Sequence, residues 1–580
     1  MQPVCLWKRE SNQTYSGAGN LGKVLRMNFK INETAQKLRG GYYTPSDLAC
    51  FLAKWVCHDS PTQILEPSCG DGVFFDAIAA CSASAEIYGF ELNKAECHKA
   101  SIRAQNAGLR SITLKETDFL GWAIREIKNQ TIQFDAVLGN PPFIRYQYLP
   151  PEFQSRAEMI FDELHCKFTK HTNAWVPFIL ASFALLRPGG RLGMVVPAEI
   201  IHVMHAQSLR SYLGKNAKRL VIIDPEEIWF EDTLQGAVLL LAEKKEKSTS
   251  RSEGLGIVSV KGRDFLRKDP EEVFRTPQAI NGKTVSGKWT RAFLDTNTRS
   301  LLDDVETLES VHIFKDIADV DVGIVTGANK YFLVHDDVVH KHGLKKWAHP
   351  MFGRSEHCPG VIYDELQHQT NARQGSPTNF LWFKDASVIT DRKVKEYILL
   401  GEKQELHKRF KCRVRTPWYS VPSVYSTEIG MLKRAHDTPR LILNRIGAYT
   451  TDTAYRITVK RGTADRLAYC FLNALTALSA ELEGRHYGGG VLELVPSEIE
   501  RLLVPVPARI RAEVKELDRA VRSLPMDAVL EQQTANVLGP LGLSAGDRQR
   551  LLSAWQRLRD RRHRNPSESS TASQPTEEAA

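Results

Sequence analysis

Between residues 64 and 241 short apolar runs alternate with helical patterns, and this alternation limits the possible folds more than any other feature of the chain. Ile64 to Leu65, Ile87 to Phe90, Phe134 to Leu138, Leu192 to Val196, Leu220 to Ile223 and Ala237 to Leu241 read as short buried strands. Val73 to Ala80, Lys94 to Asn106 and Trp175 to Leu186 carry helical periodicity, the last stopped by Pro188, Gly189 and Gly190. Strands alternating with helices imply right-handed crossovers and a mostly parallel, doubly wound α/β sheet. In such a sheet a ligand lies beyond the carboxyl ends of the strands, at the switch point between the first and fourth.

The strand ends carry the chemistry. The first runs into Glu66, Ser68, Gly70, Asp71 and Gly72, where the glycines let the backbone turn sharply towards a ligand and Asp71 is placed to cap the next helix. Glu91 ends the second strand, where a carboxylate can accept from both hydroxyls of a ribose. Asp118 ends the third and can take an adenine amino group, with Phe119 against the ring. The turn is acidic and lacks a glycine pattern for pyrophosphate, which disfavours NAD and nucleoside triphosphates. An adenosine without phosphates, carrying a positive charge near a carboxylate, fits better, and S-adenosylmethionine answers that description. The fourth strand leaves through Gly139, Asn140, Pro141, Pro142 and Phe143. Each proline fixes φ and lacks an N–H, so this exit is a stiff arm expected beside the cofactor turn.

Composition narrows the class. The 580 residues, 42% hydrophobic and 25% charged, suffice for two or more domains, and no apolar run approaches the ~20 residues of a membrane helix. The N-terminus lacks the apolar stretch of a secretory signal, so a cytoplasmic protein is expected. Ten cysteines without a CxxC pair argue against zinc and disulfides, and His202, His205, His335, His340 and His342 read as helix-surface or loop residues, so no metal is expected. A net charge of +9 suits a polyanionic partner, and Lys403 to Arg415 holds six Lys/Arg against one Glu.

The motif series places the chain in a family. "GGYYTP" (40 to 45), "EPSCGDG" (66 to 72), "FELN" (90 to 93), "TDF" (117 to 119), "NPPF" (140 to 143), "RPGGRLGMVVP" (187 to 197) and "FEDTLQGAV" (230 to 238) resemble the γ-class adenine-N6 DNA methyltransferases of Type II restriction-modification systems, the Taq-type and Pst-type enzymes. That resemblance implies a Rossmann-like class I S-adenosylmethionine-dependent methyltransferase sheet and a mixed α+β, β-rich target-recognition domain, while Leu551, Leu552, Trp555 and Leu558 make one apolar stripe that predicts a helical C-terminal segment. The expected divisions are 1–28 flexible, 29–262 catalytic, 263–507 target recognition, 508–563 helical and 564–580 disordered.

By the same resemblance Thr44 contacts the methionine carboxylate, Glu66 and Ser68 line the methionine, Glu91 holds the ribose, Asp118 the adenine amino group, and Phe119 lies on the adenine. Asn140 and the Pro141 carbonyl would accept the target amino hydrogens, with Phe143 and Phe230 flanking the extruded base and Phe178 nearby. At Phe143 the best-known relatives carry Tyr; stacking survives that change, a hydroxyl contact does not. Arg413, Arg415, Lys433, Arg434, Arg445 and Arg485 are candidates for DNA phosphate or base-edge contacts. Double-stranded DNA is the implied partner, with cleavage assigned to a separately encoded endonuclease. The alternatives are an RNA or protein-glutamine methyltransferase using the same arm, or a non-catalytic DNA-binding specificity subunit.

Overall fold

The computed structural model describes residues 44–563 except 83, 228, 230–235, 283–284, 286, 385–387, 389 and 488, so the expectations for 1–28, 564–580 and Phe230 lie outside the described residues. The first half is built on eight strands: β1 (Gln63–Glu66), β2 (Glu86–Glu91), β3 (Ile112–Glu116), β4 (Phe134–Gly139), β5 (Leu186–Pro197), β6 (Ala217–Pro225), β7 (Ala237–Lys244) and β8 (Gly254–Val260). Their order is β3-β2-β1-β4-β5-β7-β6-β8. Only β7 runs antiparallel to its neighbours. This is the doubly wound Rossmann-like sheet expected, extended at one edge by β8.

Period-two patterning splits the sheet between two cores. Ile64, Ala136, Leu138, Val221, Ile223, Leu239 and Leu241 face one layer, with Leu48, Phe51, Trp55, Phe74, Phe75 and Ile78. Leu65, Val137, Leu220, Ile222, Val238 and Leu240 face the other, with Leu120, Ile160, Trp175, Ile179 and Leu209. Continuous apolar runs are what a sheet covered on both faces requires. Helix Lys94–Asn106 starts where Asn93 accepts from the backbone N–H groups of Ala95 and Glu96.

Two expectations need correction. Helix Trp175–Ala184 ends before Pro188, and β5 begins at Leu186. Phe134 pairs with Leu186 but Ala136 with Arg191, so Pro188, Gly189 and Gly190 bulge from within the strand. A Cβ on Gly190 would meet Arg187 O at 2.9 Å and Asp135 O at 3.0 Å, which is why glycine stands there. The second correction concerns the division at 262. Phe265, Val273 and Phe274 complete one core and Val285, Trp289 and Ala292 the other, so the first unit continues to about Phe293. The polar stretch 244–253 is the link between β7 and β8.

Beyond it, a five-stranded sheet orders Ala318–Val322, Ala454–Val459, Ile429–Leu432, Leu441–Asn444 and Ile362–Tyr363. Its apolar face shares one core with helices Ala464–Phe471, Ala474–Glu483, Val514–Ser523, Met526–Leu538 and Ala545–Arg562. The expected stripe of Leu551, Leu552, Trp555 and Leu558 is buried there. Packing therefore runs across position 508, and the helical segment is part of the second unit rather than an appendage. No helix among the described residues is long and apolar enough to cross a membrane.

Candidate functional site

β1 and β4 are neighbours whose chains depart in opposite directions, and their carboxyl ends meet at Glu66 and Gly139. A Cβ on Gly139 would lie 3.3 Å from Pro67 Cδ, so the two exits are close-packed. The turn after β1 is shaped by Gly70 (φ +53°) and Gly72 (φ +87°); a Cβ on Gly72 would meet the Ala100 backbone at 3.0 Å. Asp71 is ion-paired to Arg103 at 2.9 Å.

Glu66 is fully buried, and neither carboxylate oxygen has a hydrogen-bond partner among the described residues. Burial drives its pKa well above the usual 4.5, and the charges of Asp71 and Glu91 push it further. Glu91 is oriented instead: Oε2 accepts from Gly70 N at 3.0 Å and Oε1 from Asn93 N at 2.7 Å. A carboxylate has lone pairs to spare after two such bonds, so Glu91 can still receive hydroxyl donors. Asp118 caps helix Phe119–Asn129 through Gly121 N and pairs with Arg156 at 3.1 Å, both through Oδ2.

The proline arm is tied at both ends. Ser68 Oγ donates to Asn140 O at 3.1 Å, joining the β1 turn to the β4 exit across 72 residues of sequence. Asn140 Nδ2 donates to Thr44 Oγ1 at 3.1 Å, and Thr44 is buried. That bond places the amide nitrogen on the Thr44 side and turns Oδ1 to the other. Further along, Tyr146 N donates to Asn173 Oδ1 and Ala174 N to Ile144 O. Asn173 is held in turn by Glu199, which also accepts from Trp175 Nε1 at 2.9 Å. Sequence reasoning missed Asn173 and Glu199; a polar residue at the head of a buried helix and another after β5 were the only signals.

The aromatic residues divide. Phe143 is half-buried and packs against both cores, at the carboxyl edge of the sheet. Phe178 is 6% exposed and stacks on Phe153 at 6.4 Å and 14°. Phe119 is 2% exposed, wedged between Phe90 and Phe178, so its ring is an apolar wall of the site rather than an open platform.

Of the six basic candidates, five are engaged within the protein. Lys433 and Arg434 share Glu493, Arg445 meets Asp465, Arg485 meets buried Glu498, and Arg415 donates to the carbonyls of Val325 and Thr326. Arg413 alone of the six is exposed without such a partner among the described residues, lying over Phe410 at 5.4 Å.

His202 corrects a surface assignment: it is 3% exposed, covered by strand Arg485–Tyr487, and its Nε2 accepts from His486 N at 3.1 Å. One grouping of metal-ligand atoms occurs among the described residues, His436, Asp437 and His563 within 4.8 Å. The Arg562 guanidinium 3.1 Å from His563 Nε2 opposes a second cation there.

Residues 71–230 match the Eco57I restriction-modification methylase family, and 286–538 match the C-terminal domain of Type II methyltransferase M.Eco57I. Type II methyltransferase M.AccI of Acinetobacter calcoaceticus is 24% identical over 475 residues, 79% of this chain and 84% of that protein. M.BanIII of Aneurinibacillus aneurinilyticus is 23% identical over 371 residues, and the match spans 57% of this chain but only 61% of that relative. Among solved structures, the type IIG restriction endonuclease BpuSI aligns with 93% of this chain and 68% of its own, at 14% identity and a TM-score of 0.41. With the methylase family matched from the turn after β1 to residue 230 and the M.Eco57I C-terminal domain after it, the chain belongs to the Type II restriction-modification methyltransferases.

Proposed function

We propose that this protein transfers a methyl group from S-adenosylmethionine to the exocyclic N6 of an adenine flipped out of duplex DNA, as the modification enzyme partnered by a separately encoded endonuclease. The observation that carries this is the Ser68–Asn140 hydrogen bond, which makes the acidic β1 turn and the proline arm two walls of one crevice.

The residues present fit the cofactor. Two buried carboxylate oxygens on Glu66 without a donor call for a cation or N–H group, and Glu91 is pre-aimed for hydroxyls. Glu66, Ser68, Gly70, Glu91 and Asp118 would hold it, with Phe119 as the apolar wall. Bound there, it supplies a methyl carbon activated by a sulfonium.

The arm supplies the rest. An adenine amino nitrogen is a poor nucleophile because its lone pair is delocalised into the ring. Asn140 Oδ1 and the Pro141 carbonyl each accept one amino hydrogen and draw that lone pair out of the ring plane. Each pre-aimed acceptor contributes roughly 2 to 4 kcal/mol, by analogy with single oxyanion-hole donors. Pro141 and Pro142 hold the carbonyl rigid, and Ser68 and Thr44 hold Asn140. A stacked base cannot reach the crevice, so Phe143 and Phe178, with Phe230, are assigned to receive the extruded one.

Incubation with labelled S-adenosylmethionine and unmethylated genomic DNA, followed by base analysis, tests the assignment. N6-methyladenine is expected, and Asn140→Ala should lower transfer at least about 100-fold while leaving cofactor affinity within about twofold. Label in protein or RNA but never in DNA adenine refutes it.

A further inference from the structure

The run from Leu406 to Arg415 forms a small knuckle: a 3-10 turn Leu406–Lys408 followed by a single helical turn Phe410–Arg413. Its base is anchored. Leu406 and Cys412 are buried, and the Arg415 guanidinium donates to Val325 O at 2.7 Å and Thr326 O at 2.8 Å. Gly327 (φ +78°) lets the opposing turn approach so closely that a Cβ there would be 2.7 Å from Lys411 Cβ. The outer face is different. Lys403, Arg409, Lys411 and Arg413 are exposed and, among the described residues, have no carboxylate partner; Glu405 is occupied by Lys408. Lys411 and Arg413 lie over the ring of Phe410, at 5.8 and 5.4 Å from its centroid, although Phe410 itself is 65% exposed.

A largely exposed phenylalanine costs solvation unless something uses it. Here its ring holds two cations against the repulsion that would otherwise spread them. Lys433, Arg434, Arg445 and Arg485 are each paired with a carboxylate, whereas this knuckle gathers four cations without a carboxylate partner among the described residues on a rigid base. We infer that the knuckle is the surface that grips the phosphate backbone of duplex DNA, with Arg409, Lys411 and Arg413 as phosphate contacts and Phe410 as their positioning residue. It contributes affinity in a sequence-independent way, whereas sequence reading lies elsewhere in the recognition unit. The inference rests on the proposed function, since it presupposes that duplex DNA is the substrate.

Binding of a random-sequence duplex of about 30 base pairs, measured against NaCl concentration, separates the terms. Each lost phosphate contact lowers the slope of log Kobs against log[salt] by about 0.9. The Arg409→Gln/Lys411→Gln/Arg413→Gln protein should lose about 2 to 3 of that slope and bind at least tenfold more weakly at about 0.1 M salt, with unchanged thermal unfolding. Lys433→Gln/Arg434→Gln, which removes cations already paired to Glu493, should leave the slope intact. Phe410→Ala should weaken binding with the slope unchanged, because it removes positioning but no charge. A wild-type slope in the triple variant, or an equal loss of slope in the Lys433/Arg434 control, overturns the inference while the methylation assay still stands. Wild-type protein that neither binds nor methylates duplex DNA overturns the proposed function, and the inference with it.

Discussion

Glu66 offers the sharpest test of the proposed cofactor binding. In the ligand-free protein its carboxyl is enclosed, without a donor among the described residues and facing the charges of Asp71 and Glu91, so its pKa stands well above 4.5. A cationic ligand beside it lowers that pKa and drives the proton off. Between the bound-state pKa and the raised free-state pKa, cofactor binding should therefore release close to one proton, and affinity should rise about tenfold, or 1.36 kcal/mol, for each pH unit. The stability of the cofactor-free protein has the opposite sign. The folded chain holds a proton that the unfolded chain releases, so this group's contribution is full below the unfolded pKa and is lost as pH rises through the folded one. Calorimetric titration with S-adenosylmethionine in buffers of differing ionisation enthalpy, over about pH 5.5 to 8.5, counts the protons directly. Glu66→Gln should flatten both the affinity profile and the proton count, and bind weakly throughout. An unchanged pH slope in Glu66→Gln, or no proton release by wild type, refutes the reasoning.

Thr44 is assigned to the methionine carboxylate by resemblance, yet its hydroxyl holds Asn140 Nδ2. Thr44→Val removes a buried partner worth about 1 to 3 kcal/mol, so kcat should fall about 10- to 100-fold with the cofactor Kd unchanged; a raised Kd with intact kcat reverses the assignment. Arg562 and Glu481 are both fully buried and bonded at 2.7 Å, and Arg562 also donates to the carbonyls of His436, Asp437 and Gly490. Arg562→Met should cost about 3 to 5 kcal/mol in urea unfolding, and Arg562→Met/Glu481→Leu should recover much of it; a single variant costing under about 1 kcal/mol contradicts a paired buried charge. Burial alone raises the Glu481 pKa, but His486 and Arg562 outweigh it and the net shift is downward, so this pair's stabilisation is present above pH 4.5 and lost as pH falls through the folded pKa.

The sheet was legible because its strands are buried on both faces and interrupted by amphipathic helices, a pattern local in sequence. Lys94–Asn106 was read to the residue for the same reason, having a capping asparagine in front of it. Pro188, Gly189 and Gly190 misled because the same residues that stop a helix also make a strand bulge; only the partner β4 distinguishes the two. The division at 262 failed because a polar link looks like a domain boundary until Phe274 is seen against Trp55 at 4.0 Å. The ion pairs of the basic candidates were illegible for a third reason. Glu493 lies 59 residues from Arg434 and Asp465 lies 20 from Arg445, and no local pattern announces such pairings. Glu66, Glu91 and Asn140 stand at strand ends as the sequence implies, but that Glu66 has no donor among the described residues and Glu91 has two is a property of the folded turn.

The two units are fastened at the last helix and beside the arm. Arg561 and Arg562 are consecutive, so on a helix they diverge by about 100°. Arg561 bonds both oxygens of Asp224 at the end of β6, at 2.7 and 2.8 Å, while Arg562 turns into the second unit towards Glu481. Lys288 and Arg485 meet on Glu498, which is wholly buried. His486 N donates to His202, which requires a neutral imidazole acceptor, and burial lowers the His202 pKa accordingly. From His202 the bonds continue: its backbone N–H donates to Glu199 O, the Glu199 carboxylate holds Asn173, and Asn173 holds Tyr146 on the arm. Each step is a hydrogen bond in or beside a packed core, where small displacements are resisted. The distance between the second unit and Asn140 is therefore set by a bonded chain rather than by a flexible linker, which is what the proposed methyl transfer, dominated by orientation, would demand.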